Sequence, residues 1–591
     1  MLRLSEYVRP FRRQMIILFV LTALSTLIGL VPVYLMKPLT DEVLFTSTKT
    51  PISDRLWTLN ILCFALLLVH IVHAVTESIR EYRRNWIGEK VGLTLRRSLY
   101  VHLQKLSLQF YYDERTGDLH SRVTDDINSL QSFITTDLIE LTIFSVMSVG
   151  MCVLLFCLEW RLTLILLVPV PLIIIILRVF GGKIIVTYRN LYKKIANMSS
   201  IVFNVLSGII VIKTNVAERR ELARFDKASN EVANENLHNA YLNFTFLPLI
   251  GIVLFAAGLA IRWIGGWAVV QGKITAGDMM VFLGYVGQFY GPVQGINQIY
   301  ANFQNTIAAA ERVFQVLDAK PQIVDAPDAI DLPIIKGDIK FSRVAFSYDG
   351  HKNVLEDINL EIKSGEIVGV AGRSGAGKTT LLQLLCRLYD PSQGSISIDG
   401  YDLRKVKVES LLKQMGIVLQ ETTLFYGTVA ENIAYGKPDA SRREIIFAAK
   451  AAGAHDFIMR LPHAYDSLLR EEGLGLSGGQ RQRISIARVL LKNPRIAIFD
   501  EAESSLDLET GAFIQHSIKK LSQDRTVFII SQRPSILKMV DRLIVIDNGR
   551  IVESGTYESL SQSGGVFSSL LQKANIKVED IDKRSAVIYV V

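Results

Sequence analysis

The chain has 591 residues, 49% apolar and 21% charged, and its mean hydropathy is +0.28. A soluble chain usually carries about 25% charged residues, so this balance excludes disorder, a collagen-like chain and a disulfide scaffold. The net charge of +8 suits either nucleic acid or the anionic face of a membrane, and the placement of the cations decides between them. Cys63, Cys152, Cys157 and Cys386 show neither paired nor zinc-ligand spacing and read as apolar filler.

A helix crosses about 30 Å of hydrocarbon with about 20 mostly apolar residues. Six stretches qualify: 15–36, 57–79, 137–158, 162–180, 244–267 and 278–301. Any one of them could be a buried core helix of a soluble protein. Two such runs joined only by Glu159, Trp160 and Arg161 predict a membrane hairpin instead. Residues 15–36 are too long for the apolar region of a cleavable signal and are expected to be the first span.

Basic residues set the orientation. Nine lie between spans two and three, from Arg80 to Arg122, and nine more between spans four and five, from Lys183 to Lys227. Beyond Lys37 at the span end, the segment after span one has only Lys49 and Arg55, offset by Asp41, Glu42 and Asp54. Both termini and both long connections are therefore expected in the cytoplasm of a multi-pass membrane protein. Trp57, Trp160, Trp263 and Trp267 fall at the outer ends of spans, and Trp86 alone lies inside. The two long connections carry apolar residues at three-to-four spacing, which predicts that spans two to five continue as helices into the cytosol. Turning points are expected at Asp113–Asp118 and Lys213–Glu218. The cations then coat solvated helix faces beside anionic lipid, so the partner is a lipid bilayer and no nucleic acid. Lys37, Arg178 and Arg262 lie at span ends, where long side chains snorkel; Glu140, His70 and His73 could line a cavity.

Residues 313–336, with Pro321, Pro327 and Pro333, read as a linker. From Gly337 short apolar strands alternate with helices, as in a parallel α/β domain. The strand Ile367–Ala371 runs into Gly372, Arg373, Ser374, Gly375, Ala376, Gly377, Lys378 and Thr379, and Thr380 continues a helical run. Strand, glycine-rich turn and helix are the context in which such a loop cradles phosphate. Lys378 is expected to reach the phosphates and the Thr379 hydroxyl to ligate Mg2+. The strand Arg495–Phe499 ends in Asp500 and Glu501, read as a metal-side acid and a general base for the attacking water. Between them Leu476, Ser477, Gly478, Gly479 and Gln480 open a helix, by itself a modest anion-binding signal.

Together these motifs resemble the ATP-binding cassette (ABC) transporters, and more narrowly the bacterial exporters with six spans fused ahead of one nucleotide-binding domain, of the lipid-flippase and multidrug type. The resemblance covers about residues 10–572, and LSGGQ at 476–480 is its most specific element. It implies a polytopic all-α membrane domain of six long transmembrane helices at 1–312, an α/β P-loop ATPase domain of the ABC type at 337–572, and a tail, 573–591, beyond the match. It further implies that Tyr348 stacks on adenine, that Gln420 touches Mg2+, that Glu471 meets the inner helical loops, and that Asp507 crosses to the partner's site. Residues 110–126 and 218–225 are similar to the family's inner-loop segments.

One position departs from the pattern. After the strand Thr526–Ile530 the family usually has a histidine that holds the γ-phosphate and orients Glu501, and this chain has Gln532, whose amide can donate to phosphate oxygen but cannot be protonated. Two readings follow: an active homodimer, which is preferred, or an impaired half that lends its signature to a second half-transporter subunit in a heterodimer. In the family ATP lies between the loop of one chain and the Ser477-type signature of the other, so one chain completes neither site. The expected function is ATP-driven export of a hydrophobic or amphipathic substrate, whether lipid, lipid-linked glycan, drug or peptide. Import by the same architecture, or an ATP-regulated membrane protein that transports nothing, are the alternatives.

Overall fold

The computed structural model describes residues 3–45, 51–469, 475–501, 519 and 525–572. The chain divides into two compact units, Met1–Gln104 with Thr116–Ala319 and Lys105–Arg115 with Lys320–Val591.

The regular elements of the first unit are all helices among its described residues. After the short helix Leu4–Val8 and the tight turn Arg9–Phe11 come α1 (Arg12–Tyr34), α2 (Ile52–Lys105), α3 (Leu138–Leu158), α4 (Pro169–Ser207), α5 (Glu218–Val270) and α6 (Ala276–Asp318). At 54 residues α2 extends about 80 Å, far beyond the hydrocarbon of a bilayer. The helices therefore continue past the membrane, as the spacing of apolar residues predicts. The chain turns where breakers are expected: Glu114 is extended, and Val216 sits in the left-handed region at φ 52°. At the hairpin Glu159 is extended and its carboxylate accepts from the Arg161 amide at 3.4 Å, capping the short helix Trp160–Leu167 that precedes α4.

Among the described residues five stretches are long and apolar enough to cross a membrane: Leu4–Leu44, Ile52–Lys105, Thr116–Leu158, Trp160–Phe180 and Pro248–Val270. The sixth expected span, 278–301, is helical within α6 but is not one of the five. Its sequence is the most polar of the set, with Gln288, Gln294, Asn297 and Gln298 among glycines. Large apolar side chains such as Val20, Phe64, Leu68 and Phe255 face outward, and so do Trp57, Trp160, Trp263 and Trp267. All four cysteines are free thiols.

Inside the bundle, Met151, Leu155, Leu166, Phe282 and Tyr285 form an apolar core, and the Tyr285 hydroxyl donates to the Leu30 carbonyl at 2.7 Å. Polar ties fix α6. At one end Lys37 pairs with Asp278 at 2.7 Å, while Asp41 accepts from the Gly277 amide at 2.7 Å and the Thr275 hydroxyl at 2.6 Å. A Cβ on Gly277 would lie 2.5 Å from Asp41, so only glycine allows this approach. Toward the other end Asn302 donates to Asp137 at 2.8 Å, and Arg312 grips the buried Asp126 through Nε and Nη2 at 2.9 and 2.5 Å.

Helix α6 runs six residues into the expected linker, to Asp318, because Val313, Phe314 and Val316 keep burying one face. The rest of the linker belongs to the second unit. The Ile330 amide donates to Lys405 O at 3.0 Å, and Leu332 and Ile335 are buried in its core.

That unit contains two main sheets. β1 (Ile339–Phe346), β2 (Leu355–Ile362) and β4 (Gln393–Ile398) pair antiparallel in the order β2-β1-β4. The larger sheet joins β3 (Ile367–Gly372), β5 (Met415–Val418), β6 (Ile496–Asp500), β7 (Thr526–Ile530), β8 (Arg542–Asp547) and β9 (Arg550–Gly555) in the order β9-β8-β3-β7-β6-β5. All its pairings are parallel except β8 with β9. Every residue of β6 and β7 is buried, as expected of strands covered on both faces. The helix Leu108–Asp113 belongs to this unit, with Leu108 against its apolar core.

Removing the cation that satisfies Asp126 leaves a buried carboxylate unpaired, a loss of about 1–3 kcal/mol. Arg312→Ala is expected to lower the unfolding temperature of the purified protein, and Asp126→Asn added to it to recover part of the loss. No recovery in the double variant would show that the pair does not tie α6 to its neighbour.

Candidate functional site

The strands β3, β7 and β6 lie side by side and parallel, so their carboxyl ends open on one edge. That edge is where an open α/β sheet binds ligands, and here each strand delivers a different chemical group to it.

From β3 the chain makes the turn Arg373–Gly377 and enters α7 (Lys378–Leu385). Gly375 and Gly377 have φ of 79° and 101°, values that L side chains rarely adopt. A Cβ on Gly377 would also lie 2.7 Å from Leu355 Cδ2 and 3.1 Å from Val354 O. The turn leaves Ser374 and Gly375 exposed while Lys378 and Thr380 are buried. The Lys378 ammonium donates to the carbonyls of Gly372 and Arg373, each at 3.0 Å. Burial pushes its pKa below the ordinary lysine value, against the pull of Glu501 and Asp500. A cation held at the mouth of a helix N-terminus is the electrostatic setting a polyphosphate needs.

From β6 come Asp500 and Glu501. Asp500 is buried, and its Oδ1 has no hydrogen-bond partner. Burial, and after it the neighbouring Glu501, raise the Asp500 carboxyl above the usual range; a hydrogen bond with Thr379 and the Lys378 charge oppose them. An orphaned buried acid oxygen beside the Thr379 hydroxyl fits a hard divalent cation, which takes oxygen ligands of this kind. Glu501 is left-handed at φ 44°, its amide donating to Ile530 O at 3.0 Å. This strained backbone at the strand exit turns the side chain along the edge.

There it meets two amides. Gln532, just after β7, donates through Nε2 to Glu501 Oε1 at 2.9 Å, and Gln420, just after β5, donates to Oε2 at 2.9 Å. Both carboxylate oxygens are thus fixed by neutral donors. The family resemblance assigns Gln420 to metal and places at 532 the residue that holds phosphate and orients Glu501; the second grip, from Gln420, depends on the order of strands and has no local signal.

Tyr348, beyond β1, donates to Gln383 Oε1 at 2.8 Å, and its hydroxyl lies 3.0 Å from Thr380 Oγ1. Its ring stands edge-on to Tyr389, centroids 5.2 Å apart, and remains partly exposed. Tyr389 is an aromatic neighbour that motif reading does not pick out.

The signature opens α8 (Gly478–Lys492). Ser477 Oγ accepts from the Gln480 amide at 3.3 Å and Gln480 Oε1 accepts from the Ser477 amide at 3.0 Å, a reciprocal cap. Among the described residues, no hydrogen bond joins Ser477, Gly478, Gly479 or Gln480 to the Gly372–Thr379 loop. The structure brings together Lys378, Thr379, Asp500, Glu501, Gln420 and Gln532, and Ser477–Gln480 bond within their own helix. Glu471, Asp507 and the tail 573–591 lie outside the described residues. In the first unit His73 lies against Gly29 and His70 is exposed.

Comparison with known proteins agrees with this geometry. Residues 15–293 match the model of the ABC transporter transmembrane region, and residues 355–504 match the model of the ABC transporter cassette. A Bacillus subtilis protein named for multidrug export as an ATP-binding/permease protein, YgaD, is 36% identical over 98% of this chain and 99% of its own length. An ATP-dependent lipid A-core flippase of Syntrophus aciditrophicus is 35% identical over 96% of this chain and 94% of its own. The solved structure of a bacterial Atm1-family ABC exporter with ATP bound superposes with a TM-score of 0.79 at 27% identity, covering 96% of this chain and 98% of that one.

The chain belongs to the ABC transporter family. Within it, this is an exporter half-transporter, one membrane-spanning region fused ahead of one ATP-hydrolysing cassette.

The loop geometry makes one substitution diagnostic. Gly377→Ala forces a side chain into both a left-handed backbone and Leu355, a strain of about 1–3 kcal/mol. We expect ATP affinity to fall by about tenfold or more, read by titration with a fluorescent nucleotide. Wild-type affinity in the variant would contradict the assignment of this loop.

Proposed function

We propose that this exporter carries a hydrophobic or amphipathic substrate from the cytoplasm or inner leaflet, and that it works as a homodimer of the inner membrane with its cassettes in the cytoplasm. The observation that carries the catalytic part is the Glu501 carboxylate held between the Gln532 and Gln420 amides, on the same strand edge as Lys378. The outward apolar side chains of the helices and the names of the multidrug and lipid A-core relatives support the substrate class. The concentration of Lys and Arg between spans two and three and between four and five supports the orientation.

ATP binds with its phosphates against the Gly372–Thr379 amides and the Lys378 ammonium. Thr379, Gln420 and Asp500 would hold Mg2+, which would neutralise charge on the phosphate oxygens. Glu501 takes the proton of the attacking water; its two amide contacts orient the base without themselves titrating. Ser477 and its neighbours on a second copy close over the same nucleotide, so ATP makes differential contacts only in the closed cassette pair. It thereby shifts the population toward the closed pair and the outward-facing spans. Hydrolysis removes those contacts and the pair reopens. Gln532 also favours a second reading, in which this site is the weak one of a heterodimer.

Glu501→Gln removes the base and keeps the hydrogen-bonding shape. Turnover should drop by about a hundredfold or more while ATP stays bound, as seen by nucleotide trapping; near wild-type turnover would contradict the role of Glu501. A neutral amide at position 532 has no proton to lose, whereas imidazole titrates near about pH 6.5. Turnover of Gln532→His is therefore expected to gain a step near that pH that the wild type lacks. An unchanged pH profile would separate position 532 from the reacting water. For the quaternary reading, the chain purified alone should hydrolyse Mg-ATP; an inactive but folded and dimeric preparation would favour the heterodimer.

A further inference from the structure

Several cations near the ends of the helices in the first unit are neutralised: Arg3 by Asp318, Arg80 by Glu77, Arg84 by Glu81 and Arg312 by Asp126. Others show no such partner among the described residues, and three of these cluster near the start of the chain. The side chains of Arg9, Arg12 and Arg13 are exposed and, among the described residues, show no hydrogen bond or ion pair. They lie within five consecutive residues, on the tight turn Arg9–Phe11 and the first turn of α1. From Met15 onward α1 is apolar, so the three guanidinium groups sit where the chain enters hydrocarbon. Cations just outside a span attract anionic headgroups, each changing local lipid partition by about fivefold.

The same segment is fastened to the far end of the membrane unit. Arg3 grips Asp318 through two hydrogen bonds of 2.6 and 2.7 Å, and its guanidinium lies 4.6 Å from the centre of the Phe314 ring. Tyr7 packs on the same ring, with centroids 6.4 Å apart. Phe314 and Asp318 belong to the last turns of α6, and the second unit begins two residues later in sequence, at Lys320. On the other side Phe11 meets Trp86 of α2 edge-on at 6.1 Å. Free cations and a clasp onto the end of α6 therefore share eleven residues of chain.

We propose that Arg3–Arg13 is an anionic-phospholipid strap: Arg9, Arg12 and Arg13 bind headgroups of the inner leaflet, and the Arg3–Asp318 clasp transmits that contact to the last turn of α6. The strap rests on the inward orientation of the termini proposed above. Its partner is the negatively charged membrane surface, recognised by charge and not by any one headgroup. Because α6 leads directly into the cassette's chain, the charge of the leaflet then sets how firmly that exit is held.

Trp86 is a built-in probe, being the one tryptophan of five beside the strap. The full chain with Trp57→Phe, Trp160→Phe, Trp263→Phe and Trp267→Phe is placed in phosphatidylcholine nanodiscs. These are doped with equal fractions of brominated phosphatidylglycerol or brominated phosphatidylcholine. We expect the anionic lipid to quench Trp86 more strongly. The preference should vanish in Arg9→Gln/Arg12→Gln/Arg13→Gln, and also in the unsubstituted strap at about 1 M salt, where screening shortens to about 3 Å. Equal quenching by the two lipids, or a preference that survives the triple substitution, overturns the proposal. The clasp has its own readout. Asp318→Asn should keep the quenching preference but lose any change in ATP turnover on adding anionic lipid; retained dependence refutes the transmission step. The triple variant should turn over ATP in detergent like the wild type. Loss of turnover in the wild type itself would strike the proposed function and leave the lipid result standing.

Discussion

The chemistry of this chain hangs on one edge of one buried sheet. β3, β7 and β6 are hydrogen-bonded neighbours running the same way, so the loop at Gly372, the amide at Gln532 and the acids at 500 and 501 leave it side by side. The fully buried apolar side chains of β6 and β7 fix that alignment, since slipping a strand by one residue would reverse which side chains meet which covering layer. Precision at the site is thus a consequence of packing behind it. The polar groups then need little freedom: Lys378 is held by two carbonyls and Glu501 by two amides.

The arrangement is nevertheless half of a site. Ser477 and Gln480 satisfy each other across the start of α8 and form no hydrogen bond to the loop of their own chain among the described residues. A capped helix N-terminus with its first-turn amides available is an anion-binding surface. In a family whose half-transporters generally dimerise, a second subunit is what brings such a surface to the nucleotide. On the proposed mechanism ATP is both the substrate at Glu501 and the adhesive between cassettes, which couples hydrolysis to a change of shape without a separate regulatory element.

What could be read from the chain was what is local. The phosphate loop, the LSGGQ helix start, the hairpin at Glu159 and the long helical extensions each declare themselves within a few turns of sequence, because glycine conformation, capping and apolar spacing are short-range effects. The contact of position 532 with Glu501 follows from the family resemblance, but the second amide, from Gln420, reaches the same carboxylate through the strand order, and nothing within its own segment signals it. The same holds for Asp41 reaching Gly277 and Lys37 reaching Asp278. The extra turns of α6 past Arg312 were obscured by the prolines that follow, although Val313, Phe314 and Val316 carry the helical pattern. Substitution of the usual histidine by Gln532 was legible as a departure, but its consequence depended on where its amide points.

A cross-link between copies tests the account most directly. In a background with the four cysteines replaced, Ser374→Cys and Ser477→Cys place one thiol on the exposed phosphate loop and one on the signature. With Glu501→Gln to hold nucleotide, ATP should drive a cross-link between two polypeptides joining position 374 of one to position 477 of the other. A preparation that binds ATP tightly yet yields no such bond, with or without a second subunit, would contradict the nucleotide-bridged pair on which the proposed mechanism depends.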